Sequence, residues 1–347
     1  MAIIKPFVCI RPNEKVAHRV AALPYDVYDR QEAKKEIERE PLSFLRIDRA
    51  ETSFDDSVDA YDEIVYQRAR DVLQDMINDG TFITDSKECY YVYEQIMNGR
   101  SQKGLVACAS IDDYLQNVIK KHENTREDKE LDRIRHVDIC NANTGPIFLT
   151  YRAEKQIDDT IAEGMKTAPI YSFSSNDGVK HNVWKIDNDE LISKIRKAFE
   201  AIDSIYIADG HHRAASAVKV GLMRRKKNPD FTGEEEFNYF LSVLFPHNQL
   251  LIMPYNRVVR DLNGLSEEEF LDKLSFSFTI DYMGDAAYEP DSKGAFGMYL
   301  AGKPGKILIG STLVTLYNSN QAFTCKYKLV KYRICPLCCS SFSFCGY

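Results

Sequence analysis

Asp209, Gly210, His211, His212 and Arg213 occupy five consecutive positions. A carboxylate, two imidazoles and a guanidinium around a glycine are groups that hold phosphate, ligate metal or move protons. They lie between an apolar run at 204–208 and an alanine-rich run at 214–217, the pattern of strand, turn and helix. Such a junction aims unpaired backbone N–H groups and the positive end of a helix dipole at one place. Gly210 permits a close backbone approach or a positive φ. Asp209 stands at the N-cap position, where its carboxylate would accept backbone N–H bonds. His211 and His212 point in different directions on a helix, which argues against one metal held by both. The turn is expected to seat an anion; the alternative is a structural cap with satisfied histidines.

Other groups could reach that turn. If 118–136 is one helix, His122, Arg126, Lys129, Arg133 and His136 follow 4-3-4-3 spacing and form a basic stripe able to clamp polyphosphate. The competing reading is a solvated helix laced with pairs such as Arg126–Glu130. His122 and Glu123 set a carboxylate beside an imidazole, as proton transfer requires. Asp26, in a proline-punctuated loop, is a candidate base or metal ligand, or a turn former. Arg46 and Asp48 alternate with Leu45 and Ile47, which predicts an extended strand with both polar residues on one exposed face. Asn143, Thr144 and Gly145 precede Pro146 in a turn able to line a phosphate or substrate. Asn256 and Arg257 stand where an apolar strand pair ends.

The elements that must position these groups are read from periodicity. Strands are expected at 3–10, 147–151, 204–208, 237–245, 250–253 and 276–282, and helices at 30–38, 58–80, 189–201 and 266–274. Asn98-Gly99 between 88–97 and 104–111 is a hairpin signal. The irregular alternation predicts an α+β (mixed α/β) fold with mixed sheets and antiparallel hairpins rather than a cleanly doubly wound one. Residues 1–303 read as one α+β catalytic region with a candidate sub-boundary near 150–185.

Net charge of −7 argues against a general nucleic-acid binder, which needs Lys and Arg to neutralise phosphates. No apolar run approaches the length of a membrane span, and the first residues lack signal-peptide organisation, so the chain reads as cytoplasmic. Cys9, Cys89, Cys108 and Cys140 are scattered like small core residues of a reduced chain. Cys325, Cys335, Cys338, Cys339 and Cys345 crowd a tail, 304–347, that reads as atypical: non-native sequence, as from a truncated or shifted reading frame, or disordered. Cys335 and Cys338 have the spacing of half a zinc site without a matching pair.

Several motifs together carry a resemblance. They are Ala-Leu-Pro-Tyr-Asp-Val at 22–27, Ile-Lys-Lys-His-Glu-Asn-Thr at 119–125 with Lys129 and Asp132-Arg133, and Asn-Thr-Gly-Pro-Ile-Phe at 143–148. Ile-Ala-Asp-Gly-His-His-Arg at 207–213 and Met-Pro-Tyr-Asn-Arg at 253–257 complete the set. In this order the chain resembles the bacterial domain-of-unknown-function family DUF1015. That family looks longer, so the tail is expected to stand where a further C-terminal portion would be. The Asp-Gly-His-His-Arg turn is also similar to the phosphate-binding turn of the ParB and sulfiredoxin superfamily. That superfamily includes nucleotide-dependent free-serine kinases and holds nucleotide phosphates with a His-Arg pair at a helix start. Members of the DUF1015 family also look associated with phosphorylated-serine metabolism.

These resemblances imply a phosphotransferase acting on a small hydroxyl substrate such as free L-serine, with ADP or ATP as donor and Mg²⁺ accompanying the nucleotide. Asp209, Gly210, His211, His212 and Arg213 would hold nucleotide phosphates, with Lys129 and Arg133 shielding the transferred group. Glu123 or Asp26, with His122, would take the hydroxyl proton. Arg46, Asn143, Thr144, Gly145, Asn256 and Arg257 would face the substrate. No Walker-type phosphate loop is present, which disfavours an ordinary P-loop enzyme. Two alternatives stay open: a phosphatase or metal-dependent hydrolase of a small phosphorylated metabolite, using Asp209 and the histidines, and a non-catalytic ParB-like nucleotide- or DNA-binding module.

Overall fold

A computed structural model describes residues 1–251, 259–282, 295–300 and 307–312. Met1–Leu251 form one compact unit, and the later described residues belong to a second. The division therefore falls beyond Leu251. The candidate boundary near 150–185 is a correction, because three strands in that stretch belong to the main sheet of the first unit.

The first unit opens with β1 (Ile4–Lys5), β2 (Ile10–Pro12) and α1 (Ala17–Val20). Helices α2 (Arg30–Arg39), α3 (Leu45–Asp48) and α4 (Glu63–Asn78) follow, with β3 (Phe82–Thr84) pairing back onto β2. α2 starts at a capping box between Asp29 and Glu32. α4 is capped by Asp62 and buries Val65, Ala69, Val72, Leu73 and Met76, the stripe its periodicity predicts, while Tyr61 and Ile64 are exposed. The expected strand at 42–48 is a correction. Phe44, Leu45 and Ile47 are buried in a helical turn beside Val20, Ala69 and Leu73, and a short apolar run does not distinguish strand from helix.

β4 (Tyr90–Met97) and β5 (Arg100–Ser110) form the expected hairpin, with Asn98 at φ 51° and Gly99 at φ 77°. Two positive φ angles are what a two-residue turn matched to strand twist requires. After α5 (Ile111–Leu115) come β6 (Ile119–Lys120), α6 (Glu127–Cys140) and β7 (Ile147–Tyr151). The unit continues through α7 (Lys155–Gly164), β8 (Tyr171–Ser174), β9 (Lys180–Ile186), α8 (Asp189–Glu200), β10 (Ile205–Asp209), α9 (His211–Lys227) and β11 (Tyr239–Pro246).

The main sheet runs β6-β10-β7-β11-β5-β4-β9-β8, with β1 also on β5. β6 with β10 and β7 with β11 are parallel; the other pairs are antiparallel. The fold is thus α+β with a mixed sheet. β11 is buried along its whole length, which explains its nearly unbroken apolar sequence. One face packs Ile147, Leu149, Ile205 and Ile207 against Phe199, Ala214 and Val218 of the helices. The other packs Val106, Val183 and Val243 with Phe7 and Cys9 of the N-terminal segment. Cys9, Cys89, Cys108 and Cys140 are buried free thiols, as their scatter predicts.

In the second unit, α10 (Glu267–Ser275) is capped by Ser266 through a capping box, and β12 (Phe278–Tyr282), β13 (Ala295–Tyr299) and β14 (Ile307–Thr312) form an antiparallel sheet. No helix among the described residues is long and apolar enough to cross a membrane. The strand expected at 250–253 is largely, and the cysteine-rich tail almost wholly, outside the described residues.

Candidate functional site

Three segments meet at one edge of the main sheet for a topological reason. β6 and β10 are parallel, with Ile119 opposite Ile205, so the segments that follow them leave at the same end. β7 is antiparallel to β10, so residues 141–146, which precede it, arrive there too. Ligand sites of α/β sheets form outside strand ends in this way.

A register shift between Ile207 and Asp209 re-aims the end of β10. Gly210 follows at φ 92° and opens α9, whose N-terminus no side chain caps. Asp209 as an N-cap is therefore a correction: its Oδ2 accepts from Arg213 Nη2 at 2.8 Å, and Gly210 occupies the cap position. Arg213 folds back across the turn and its Nη1 donates to the Pro146 carbonyl at 2.5 Å. A Cβ on Gly210 would lie 3.0 Å from Nη2 of that guanidinium. The N–H groups that begin α9, the positive end of its dipole and one cation converge on the same place.

The two histidines of the turn are separated by helix geometry, as expected. His211 is buried, its Nδ1 3.4 Å from Glu123 Oε2, and its ring meets His122 edge-on at 4.4 Å. The His122 N–H donates to His211 Nε2 at 3.5 Å. A backbone N–H can only donate, so Nε2 presents its lone pair and Nδ1 carries the proton toward Glu123. Burial first, then His122, pushes this imidazole below its usual value and keeps it neutral at neutral pH. His212 has a buried Nδ1 with no hydrogen-bond partner among the described residues.

The continuous helix at 118–136 is a correction. Ile119 and Lys120 pair with β10 and α6 begins only at Glu127, so His122 and Arg126 lie in a loop off the stripe. The acidic first turn Glu127, Asp128 and Glu130 was the local signal for that start. The loop is tied down at Glu130, which accepts hydrogen bonds from Thr125 and Lys219. Burial would raise the Glu130 carboxyl, but those two bonds outweigh it and hold it low. Arg126 pairs with Asp128 at 2.8 Å. Lys129 is exposed and donates to Tyr61 Oη at 3.0 Å.

Arg133 lies inside the protein rather than on a stripe. It pairs with Asp132 at 2.9 Å and stacks on the Tyr25 ring at 4.2 Å. Burial works against its charge, and Tyr25, Asp132 and Asp48 outweigh it. Tyr66 Oη donates to the other Asp132 oxygen at 2.9 Å. Asn143 and Thr144 are buried, Thr144 hydrogen-bonds to Asp48, and Gly145 is half-buried. Asp48 is thus turned inward, whereas Arg46 donates to the Pro41 carbonyl at 3.1 Å; their expected exposed pairing is a correction. Asp26 is exposed in the turn 25–27, next to Tyr25. Asn256 and Arg257 lie outside the described residues. Tyr25 and Asp132 are neighbours to which the sequence assigns no site role, whereas Asp48 and His136, expected on an exposed strand face and on the basic stripe, instead turn inward.

Asp48 supplies a pH test. Burial, opposed by Arg133, Thr144, Arg213 and Arg49, raises its carboxyl from 3.8 to about 6. A folded value above the unfolded one gives stability that is present below the unfolded value and lost as pH rises through about 6. Asp48→Asn should therefore gain stability relative to the parent between pH 4 and 7.5, on the order of 3 kcal/mol. Urea melts across that range measure it; parallel pH profiles for the two proteins would exclude the assignment.

Among the described residues no group of three or more His, Cys, Asp or Glu side chains is arranged to hold a metal ion. A family model described as "protein of unknown function (DUF1015)" matches residues 4–321, and the chain belongs to that family. No curated protein and no solved structure matches it.

Proposed function

We propose that this DUF1015 protein is a phosphotransferase that moves a phosphoryl group from ADP or ATP to the hydroxyl of a small metabolite, free L-serine being the leading candidate. The observation that carries the reading is the uncapped start of α9, with Gly210 at φ 92°, Arg213 folded over it and His211 beside it, 3.4 Å from Glu123. Phosphoryl transfer needs positioning and charge neutralisation more than covalent chemistry. The first N–H groups of α9 and Arg213 would bind the donor's phosphates, with His212 beside them in the first turn. The substrate oxygen forms the new P–O bond as the bond to the leaving nucleotide oxygen breaks. Glu123, oriented by His211, takes the hydroxyl proton. Asp26, exposed in its own turn, is the less favoured base. Arg133 would act through the field it adds near Asp48 rather than by contact, and Lys129 at the exposed rim. No ligand set for Mg²⁺ is assembled among the described residues, so the ion would come with the nucleotide phosphates.

Phosphorus NMR on the full chain with ADP or ATP, Mg²⁺ and a panel of hydroxy amino acids tests this. The expected result is phosphoserine, abolished by Arg213→Met and slowed about 10²- to 10⁴-fold by Glu123→Gln with nucleotide still bound. Inorganic phosphate released from phosphoserine without nucleotide would replace the kinase with a hydrolase. Nucleotide or DNA binding without turnover would replace it with a ParB-like module.

A further inference from the structure

Residues 121–126 join β6 to α6 as a largely exposed loop, and they carry His122 and Glu123 to His211. The contacts made there are long. Glu123 Oε2 lies 3.4 Å from His211 Nδ1, and the His122 N–H donates to Nε2 at 3.5 Å. Contacts of that length on an exposed segment do not by themselves hold a loop in place.

A stronger fastening stands a few residues on. Glu130, 6% exposed in the first turn of α6, accepts from the Thr125 hydroxyl with one carboxylate oxygen and from Lys219 Nζ of α9 with the other. Its backbone carbonyl lies 3.1 Å from the hydroxyl of Ser216, a fully buried residue of α9 whose hydroxyl is also 2.7 Å from the His212 carbonyl. Both oxygens of one buried anion are thus engaged, by donors from the loop and from the helix whose first turn the loop meets. Hydrogen bonds to an ionised carboxylate are the strong ones. Thr125 stands two residues from Glu123, a stretch of chain that spans at most about 7 Å, so fixing the Thr125 hydroxyl keeps Glu123 beside α9.

We propose that Glu130 is the positioning residue for the proton acceptor: through Thr125 and Lys219 it docks the 121–126 loop on α9 and sets Glu123 and His122 against His211. The inference rests on the phosphotransferase reading only in calling Glu123 the proton acceptor; the docking itself is tested without turnover. Amide hydrogen exchange and the His211 ring resonances, read by NMR on the full chain, are the measurements. Thr125→Val removes the hydroxyl at nearly constant volume, and Thr125→Ser keeps it. In Thr125→Val the amides of 121–126, that of His122 above all, should exchange about 10-fold faster or more, and the His211 ring signals should shift. Exchange in β7, β10 and the body of α9 should stay parental, which shows the variant folded. Glu130→Gln should change the same signals in the same direction, and the Thr125 pair decides the matter if that variant does not fold. In the transfer assay Thr125→Val should lower kcat about 10-fold with the nucleotide KM unchanged, since the phosphate seat on α9 is untouched, and Thr125→Ser should restore it. Parental exchange and His211 signals in Thr125→Val would overturn the docking, and altered signals with parental kcat would overturn the positioning role. Altered signals in a protein that transfers phosphate from no nucleotide would sink the phosphotransferase and leave Glu130 as the anchor of the His211 contact.

Discussion

Gly210→Ala is expected to abolish binding of ADP and pyrophosphate while leaving the first unit folded. Alanine in a left-handed conformation costs about 1–2 kcal/mol, a loss a domain of this size survives. The larger consequence is positional. The new Cβ would stand 3.0 Å from Arg213 Nη2 and 3.1 Å from its Cζ. That guanidinium cannot simply swing away, because it is held by the Pro146 carbonyl and Asp209. Relief of the contact moves the cation or straightens the turn, and either change takes charge or backbone N–H groups away from the phosphate position. An affinity loss of about 100-fold or more is expected by calorimetry, with a modest fall in melting temperature. Arg213→Lys, which leaves the turn unstrained, should lose less. If Gly210→Ala binds ADP within a few-fold of the parent, the start of α9 is not the phosphate seat.

The largest stability effect is expected at Asp85, far from that turn in sequence. Its carboxylate accepts from Arg11 Nε at 3.0 Å, Arg11 Nη2 at 3.2 Å, Lys185 Nζ at 2.9 Å and the Tyr91 hydroxyl. Arg11 also donates to Tyr171 Oη at 2.9 Å. One buried anion thereby joins the β2–β3 pair to β4, β8 and β9 of the main sheet. Asp85→Asn removes the charge shared by Arg11 and Lys185, 6% and 18% exposed, and leaves Arg11, among the described residues, only the exposed Glu14 at 3.8 Å as an acidic partner. Breaking a buried pair from one side costs about 3–5 kcal/mol. At this size that lowers the melting temperature by roughly 10 °C. Burial would raise this carboxyl, but bonds from Arg11, Tyr91 and Lys185 outweigh it and hold it low. Its contribution is therefore present above the unfolded carboxylate value and lost as pH falls through the folded one, opposite in sign to Asp48. Asp159, an exposed partner of Lys155, is the control: its amide variant should stay within about 0.5 kcal/mol of the parent. An Asp85→Asn loss no larger than that control would show that the cluster carries no stability.

Some of this molecule is decided within a few residues of chain. The Asn98-Gly99 hairpin, the Asp62 and Ser266 caps, the buried stripe of α4 and the strand–glycine–helix turn at 205–213 all follow from backbone sterics, capping and local periodicity. The failures came where local signals were weak or equal. Alternation at 45–48 fits a strand or a helical turn, and burial against α4 and the Val20 segment settled it as helix. The charged run at 118–136 has helical spacing throughout, but pairing of Ile119 with Ile205 claimed its first residues for the sheet.

The sequence by itself determined which chemical groups this protein owns and the turn that presents Asp209 to Arg213. Only the tertiary structure decided which groups meet. Glu123 faces His211 because β6 and β10 are parallel neighbours, and Arg213 reaches Pro146 because β7 is antiparallel to β10. Asp48 turned inward because the apolar residues on either side of it bury in a helical lobe. The physical reason is range. Dihedral preferences and caps act over a few residues, whereas strand register and apolar burial join residues remote in the chain.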